Sequence, residues 1–286
     1  MAQTRTGGRA AESGRMKISA LGCLATATWL AAAPAAAQMA ADPGSVTSMP
    51  VTAGHGTAST ATVTTLPAGP TLKQLFSDTA TDFKKLASRD SARWLAIGTA
   101  AAFVARAEDS RVGGVLARPQ LRRPFESGQL VGSSPFQMGG ALTAYTIGRL
   151  TGNARTVQVG ADLFRAQTVA QLTTYAMKYS IRRTRPDGTR FSFPSGHTSV
   201  TFASATVLQR NFGWKVGIPA YGMAAFVAGS RLQTRRHHLS DVAFGAALGI
   251  MAGRTITVGR GASRLAVAPS AAPGGAGVTF TLVGRR

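Results

Sequence analysis

Apolar positions along this chain fall into runs separated by charged and glycine-rich stretches, and within the runs they repeat at helical rather than strand intervals. The first ordered pattern begins near Leu72. There Leu72, Leu75, Phe76, Phe83 and Leu86 recur along one side while Lys73, Asp82, Lys84 and Lys85 take the other, which predicts an amphipathic helix packed on a core. An apolar helix follows over Trp94 to Val104, bounded by Arg93 and Arg106, and the Arg- and Gly-rich stretch from there through Ser134 reads as a polar loop. Further helices are predicted over Phe136 to Leu150, closed by Gly152-Asn153, and over Val157 to about Ile181, which delivers Lys178 at its C-terminal end. Pro194-Ser195-Gly196 reads as a turn into a helix carrying Val200, Phe202, Val207 and Leu208, and Trp214 to Ala228 and Val242 to Met251 complete the set.

These six apolar segments show no strand alternation, so the predicted fold class is all-α, a six-helix bundle. The segments are built from Ala, Gly and Thr and carry Arg149, Asp162, Gln167 and Gln171 internally, whereas a lipid span favours near-continuous Leu, Ile, Val and Phe over about 20 residues. This favours a bundle that is soluble or peripherally attached to a membrane. Ala- and Gly-rich helices also pack closely within lipid, so a polytopic inner-membrane protein is the alternative. After Arg264 the pattern changes to alternation about a Pro/Gly turn, which predicts a C-terminal β-hairpin over 261–286.

The N-terminal region reads differently. From Met16, the positive charge of Lys17, the apolar stretch Ile18 to Ala33 and the small residues Ala35-Ala36-Ala37 make the pattern of a secretory signal peptide over 1–37, with Met16 as an alternative translation start. The implied destination is the periplasm. Residues 38–70 hold few large apolar groups and cannot offset their ordering entropy, so they read as a disordered linker, with a helical domain over 71–260 after it. The single cysteine, Cys23, falls in the predicted leader, which excludes disulfides and cysteine metal sites from the exported protein.

A formal net charge of +21 implies an anionic partner: nucleic acid, an acidic lipid surface or a phosphorylated substrate. The histidines help to choose. Three of the four, His197, His237 and His238, lie between Lys178 and Asp241 among a density of arginine that would repel itself unless an anion sat among the side chains. Lys178 and Arg185 are seven apart, two turns on one face of a continuous helix that Pro186 then ends. The plainer reading of such a cluster is a basic helix end complementing the helix dipole, and it accounts well for Arg182 and Arg183. Ser195-Gly196-His197 follows a proline at a predicted helix N-terminus, where free N–H groups favour an anion. Gly196 lets a phosphate approach the main chain, Ser195 can donate to it, and His197 can hold a proton for a leaving oxygen. His237 and Asp241 are four apart, so a helical turn lets the carboxylate orient the imidazole as a nucleophile, with Arg231 adding a guanidinium and His238 left to a structural role.

With the three clusters in this order, Lys178 with Arg185-Pro186, Pro194-Ser195-Gly196-His197, and Ser230-Arg231 with His237 and Asp241, the sequence resembles the type 2 phosphatidic acid phosphatase superfamily. That superfamily also contains vanadium haloperoxidases and bacterial acid phosphatases. The resemblance implies a helical bundle of that type and a metal-independent phosphatase acting on phosphomonoesters or diphosphates, with lipids the favoured substrates. It further implies that Lys178, Arg185, Ser195, Gly196 and Arg231 hold the phosphoryl oxygens. His237, oriented by Asp241, would form a phosphohistidine, and His197 would act as acid and then base. No cofactor is implied, vanadate entering as an inhibitor. The alternative is a vanadate-dependent haloperoxidase, in which vanadate is the cofactor. The shortness of the chain favours the phosphatase, and a secretory signal disfavours a basic nucleic-acid binder. Expected partners are a phosphorylated lipid or small phosphoester and a membrane surface, with Arg182, Arg183, Arg190, Arg235 and Arg236 crowding the mouth of the site.

Overall fold

The computed structural model describes residues 69–258 and the backbone of 264–272 and 275–283. The predicted signal peptide and, apart from Gly69 and Pro70, the predicted linker lie outside the described residues. Nine α-helices run through the described residues. They are α1 (Leu72–Lys85), α2 (Arg89–Arg106), α3 (Asp109–Leu116), α4 (Arg122–Val131), α5 (Ser134–Thr151), α6 (Ala154–Ile181), α7 (Gly196–Phe212), α8 (Trp214–Gln233) and α9 (Leu239–Ile256). A 3-10 turn, Pro119–Leu121, joins α3 to α4. The backbones of β1 (Arg264–Ala272) and β2 (Gly275–Val283) pair antiparallel, Arg264 opposite Val283 and Ala272 opposite Gly275.

Local sequence sets the helix ends. Thr71 accepts from the Gln74 N–H while the Gln74 side chain accepts from the Thr71 N–H, a reciprocal cap that starts α1. Ser88, Ser133 and Asn153 cap α2, α5 and α6 in the same one-way sense, each accepting from the N–H three residues on. Gly152, at φ +69°, ends α5 in the left-handed conformation that glycine tolerates, and so turns the chain back into α6.

The bundle is organised around α7, which packs against α6, α8 and α9, while α2 covers the far side of α9. Small residues make this possible. A Cβ on Gly249 would lie 2.2 Å from the Ser199 carbonyl oxygen, and one on Gly253 would lie 2.6 Å from Thr206 Cβ. A Cβ on Gly245 would lie 2.8 Å from the Ser195 carbonyl. The three glycines recur every fourth residue along one face of α9, so the two backbones come into direct contact along that line. Around it lies a core of Val159, Leu163, Val169, Ala203, Val207 and Ile256. Polar groups form a chain across helices there: Gln167 Nε2 donates to Ser204 Oγ, which donates to Gln137 Oε1, and Gln137 Nε2 donates to the Val131 carbonyl, while Gln167 Oε1 is buried without a partner.

Each of the six predicted apolar segments lies in its own helix, α2 and α5 to α9. Three details differ from expectation. The stretch through Ser134 is not a loop but forms α3, the 3-10 turn and α4. Tertiary packing holds α4 despite its glycine and proline: Phe125 stacks on Phe226 at 5.4 Å, and Gly128 sits against Ser230 on α8. Asp82 is not on the wet face of α1. It is fully buried, 2.6 Å from Arg165 Nη2 and 2.8 Å from Lys85 Nζ, because a carboxylate paired with a buried guanidinium can enter a core that an unpaired one cannot. Finally, α6 ends at Ile181, as its apolar pattern predicts, and does not run on toward Pro186 so as to carry Lys178 and Arg185 on one helical face; Arg182 there takes a left-handed φ of 52°.

The glycine contacts generate a stability prediction. Gly249→Ala should destabilise the protein by about 1–3 kcal/mol, since backbone must move to admit the methyl. Gly139→Ala, on an open face of α5 with nothing within 4 Å, should be neutral or stabilising by about 0.5–1 kcal/mol. Denaturant unfolding of the two variants beside the parent checks the contrast.

Candidate active site

The residues singled out by sequence meet where the C-terminal ends of α6 and α8 face the N-terminal ends of α7 and α9. The Ser195 N–H donates to the Asp241 carbonyl at 3.1 Å, tying the start of α7 to the start of α9. Because α7 begins at Gly196 directly after this anchor, its unpaired N–H groups are presented at a fixed position in the site. A Cβ on Gly196 would make only ordinary contacts, 3.5 Å from Thr174, so the protein's own packing leaves room there.

Three cations border this point. Lys178 is buried near the end of α6 and donates from Nζ to the carbonyls of Phe191 at 2.6 Å and Ser192 at 3.4 Å. Burial, followed by repulsion from Arg185, pushes its ammonium down to about 8. Arg185 reaches the site from the loop rather than from the helix face expected for it. That loop folds back on itself, with Arg185 N–H donating to the Thr189 carbonyl and Ser192 N–H to the Arg183 carbonyl. Arg231, near the end of α8, is 4% exposed, and burial draws its guanidinium down to about 10. Arg231 Nε and Nη1 and Arg185 Nε are buried without hydrogen-bond partners. A buried charged donor left unsatisfied costs several kcal/mol, on the order of 1–3 for a neutral group and more for an ion, so these donors are built for an acceptor.

The histidines stand among them. His197, in the first turn of α7, is partly buried, with its ring against Gly132 and hydrogen-bonded to the main chain of Gln129 on α4. Burial first, then Arg231 and His237, holds its pKa down at about 3. His237 precedes α9 and is 4% exposed. Burial lowers its pKa to about 4 against the opposing pull of Asp241. Its Nδ1 lies 3.7 Å from Asp241 Oδ2, an ion-pair separation that exceeds hydrogen-bond length. Both histidines are therefore neutral at pH 7 in the free protein. The His238 ring takes no part: its Nε2 is 3.2 Å from the Thr184 carbonyl, a loop contact.

Asp241 is fully buried and heavily held. Oδ2 accepts from the Ser192 hydroxyl and, at 2.8 Å, from the His238 N–H, while Oδ1 accepts from Arg183 Nη1 at 2.7 Å. These donors outweigh the cost of burial and keep its pKa low, at about 2. Sequence reasoning missed Ser192, Arg183 and Gln129. Arg183 carried no signal to separate it from its neighbour Arg182; the backbone reversal at Arg182 turns one outward and the other into the site. The expected rim is partly tied up, as Arg236 pairs with Asp187 at 3.0 Å and Arg235 donates to the Pro186 carbonyl. Among the described residues no group of three or more His, Cys, Asp or Glu side chains is placed to hold a metal ion.

Residues 160–264 match the family model of the PAP2 superfamily. Over this segment the chain is similar to that superfamily. Among curated proteins, the chain is 45% identical over 82 residues to a lipid A 1-phosphatase of Porphyromonas gingivalis, covering 27% of this chain and 18% of the relative. It is 39% identical over 77 residues to a probable diacylglycerol pyrophosphate phosphatase 1 of Schizosaccharomyces pombe, covering 22% and 27%. The chain thus spans 18% to 27% of the length of these relatives. Similar solved structures include the transmembrane PAP2-type phosphatidylglycerolphosphate phosphatase of Bacillus subtilis (TM-score 0.47, 20% identity, 64% of this chain and 92% of that one). Another is LpxE of Aquifex aeolicus (TM-score 0.46, 19% identity, 53% and 94%).

The unpartnered guanidinium donors of Arg231 and Arg185 predict oxyanion binding. Millimolar orthovanadate or tungstate should raise the thermal midpoint, by about 2–4 kcal/mol of stabilisation at 100 to 1,000 times the dissociation constant. Arg231→Gln should remove most of that rise, which differential scanning fluorimetry reads directly.

Proposed function

We propose that this protein is a metal-independent PAP2-type phosphatase that hydrolyses lipid phosphates through a phosphohistidine. The observation that carries the reading is the set of buried, unpartnered donors on Arg231 and Arg185 beside Lys178 and the α7 N-terminus, gathered around a neutral buried histidine. An oxyanion of phosphate size satisfies them together, and they strengthen as charge builds on the equatorial oxygens in the transition state.

In this reading Arg231, Arg185, Lys178, the Ser195 hydroxyl and the Gly196 N–H hold the phosphoryl oxygens. His237 Nε2 attacks phosphorus as the bond to the leaving oxygen breaks, and Asp241 stabilises the imidazolium that forms. His197, neutral in the free protein, takes the proton of the phosphate monoanion as substrate docks and passes it to the leaving alkoxide. It then draws a proton from the water that cleaves the phosphohistidine, which frees His237, and hands that proton to the departing inorganic phosphate, which returns His197 to its neutral form.

The lipid preference is supported by the names of the matched relatives, which act on lipid A and on diacylglycerol pyrophosphate. It is also supported by an apolar groove between α2 and α6, lined by Leu95, Ala102, Met177, Phe193 and Phe244. Met177 immediately precedes Lys178 of the cradle and Phe193 lies two residues before Ser195, so a chain lying in this groove would start beside the phosphate. The α9 helix is long and apolar enough to cross a membrane, although most of it is buried inside the bundle. We place the enzyme on the exported side, at a membrane, with residues 71–260 as its catalytic domain.

His237→Ala should abolish turnover, a loss of at least about 10³-fold, without changing the unfolding midpoint by more than about 1 kcal/mol. Phosphate release should be measured across long-chain lipid phosphates, a diphosphate and a short soluble ester, in membrane and soluble fractions. Acid-labile label retained on the parent protein and lost in His237→Ala would mark the covalent intermediate. Undiminished turnover by the variant, or peroxidase activity switched on by orthovanadate in place of inhibition, overturns the reading.

The pH dependence of kcat/KM follows from the same groups. The nucleophile is the neutral imidazole, so activity should fall as pH drops through the His237 value of about 4. Lys178 must be charged to hold the phosphate, so activity should also fall as pH rises through about 8. A profile still climbing at pH 9 would remove Lys178 from the cradle.

A further inference from the structure

Arg183 stands between Lys178 and Arg185 at a position that the sequence motif leaves unspecified, yet it makes an extensive set of charged contacts near the site. Its Nη1 donates to Asp241 Oδ1 at 2.7 Å and to Ser240 Oγ at 2.7 Å, and its Nη2 donates to Asp109 Oδ2 at 2.8 Å. Asp109 sits at the start of α3, a helix before the matched PAP2 segment, and is itself fixed: Oδ1 accepts from the Ser240 N–H and Oδ2 from the Ser240 hydroxyl, both at 2.8 Å. One planar guanidinium therefore bridges two carboxylates, and the outer one anchors the first turn of α9, where the inner one stands.

The consequence for Asp241 is geometric. Its Oδ1 is committed to Arg183, so the carboxylate cannot turn about its axis without breaking a charged hydrogen bond, and Oδ2 stays on the side of His237 Nδ1. Ser192 and the His238 N–H hold Oδ2 in the same place, and the Ser192 N–H is itself bonded to the Arg183 carbonyl. The clamp thus compensates for the 3.7 Å gap between Asp241 and His237: with no direct hydrogen bond to fix the ring, the carboxylate must be fixed from behind.

We infer that Arg183, held by Asp109, is a positioning residue that locks Asp241 in the orientation the nucleophile His237 needs. The inference rests on the phosphatase reading for its kinetic consequence and on geometry alone for its structural one. Lysine would not replace it, since an ammonium on a flexible stem lacks the fork that spans two carboxylates at fixed angles.

The test uses the full chain, three single variants of the clamp and one double, with His237→Ala as the control for the phosphatase reading. Arg183→Gln should lower kcat about 10- to 100-fold, the range typical of partners that orient a reactive histidine, with KM nearly unchanged because the residue does not touch substrate. Arg183→Lys should recover part of that loss. Asp109→Asn should lower kcat by less and add little when combined with Arg183→Gln, since both act through one clamp. A second readout needs no turnover: ¹⁵N NMR of the His237 ring should show the Nδ1–H tautomer in the parent and a tautomer mixture in Arg183→Gln. Unaltered kcat and an unaltered ring spectrum in folded Arg183→Gln overturn the clamp. If that variant does not fold, the same two results in Asp109→Asn overturn it. Persistence of activity in His237→Ala instead overturns the phosphatase reading and leaves the spectroscopic test of the clamp intact.

Discussion

The structure of the site depends on one buried carboxylate. Asp241 has no exposed surface, and a lone carboxylate in such a place would take up a proton. Its ionisation is secured by the groups bonded to it, and those groups come from every side: Arg183 and Ser192 from the loop after α6, the His238 N–H from its own helix start, and Asp109 behind Arg183 from α3. The carboxylate thereby ties together α3, the loop and α9, while its carbonyl holds the Ser195 N–H and with it the start of α7. A single ionised side chain fixes the relative positions of the elements that carry His237, His197 and Arg185.

This junction requires backbones that approach closely. Gly245, one turn after Asp241, lies against the Ser195 carbonyl, and Gly249 and Gly253 continue the contact toward the other end of α9. The cost of so many glycines within a helix, up to about 1 kcal/mol each against alanine, is offset by burial and by the interhelical hydrogen bonds of Gln167, Ser204 and Gln137. The same logic on a smaller scale seats α4: Gly128 and Gly132 bring its backbone against Ser230, Val227 and the His197 ring. The apolar composition of these helices is accordingly one of small residues. Those small residues let the backbones of α7 and α9 touch, and α9 remains apolar enough over its length to cross a membrane.

The long helices were legible because helical periodicity survives in a window of fifteen or more residues, and the cluster of His197, His237, Asp241, Lys178 and Arg231 was legible because chemistry restricts which residue types can stand together. Two kinds of feature escaped. The helices α3 and α4 are short, rich in Gly and Arg, and held by contacts to α8 that no local pattern encodes. Asp82 and Arg183 were misread as solvated or rim charges because polarity in one dimension does not tell a wet face from a buried ion pair. Asp82 finds its partner 83 residues away in Arg165, and Arg183 finds its partners 58 and 74 residues away. Arg185 was placed on the right site by the wrong route, since a left-handed residue at Arg182 ends the helix that sequence spacing would have continued.

Charge balance explains why the remaining cations stay unsatisfied. Arg183 is matched by Asp109 and Arg236 by Asp187, so neither adds net charge to the cradle. Among the buried groups of the site this leaves Lys178, Arg185 and Arg231 near Asp241, three cations against one anion, with two neutral histidines between them. The surplus equals the charge of a phosphate dianion. A site balanced without substrate would have to give up internal ion pairs to admit one, whereas this site holds its own carboxylate through Arg183 and leaves Arg231 Nε and Nη1 and Arg185 Nε without partners. On the proposed phosphatase reading the clamp and the cradle are two parts of one arrangement: by pairing with Asp109 and Asp241, Arg183 keeps both acids from the guanidiniums that would receive a phosphate.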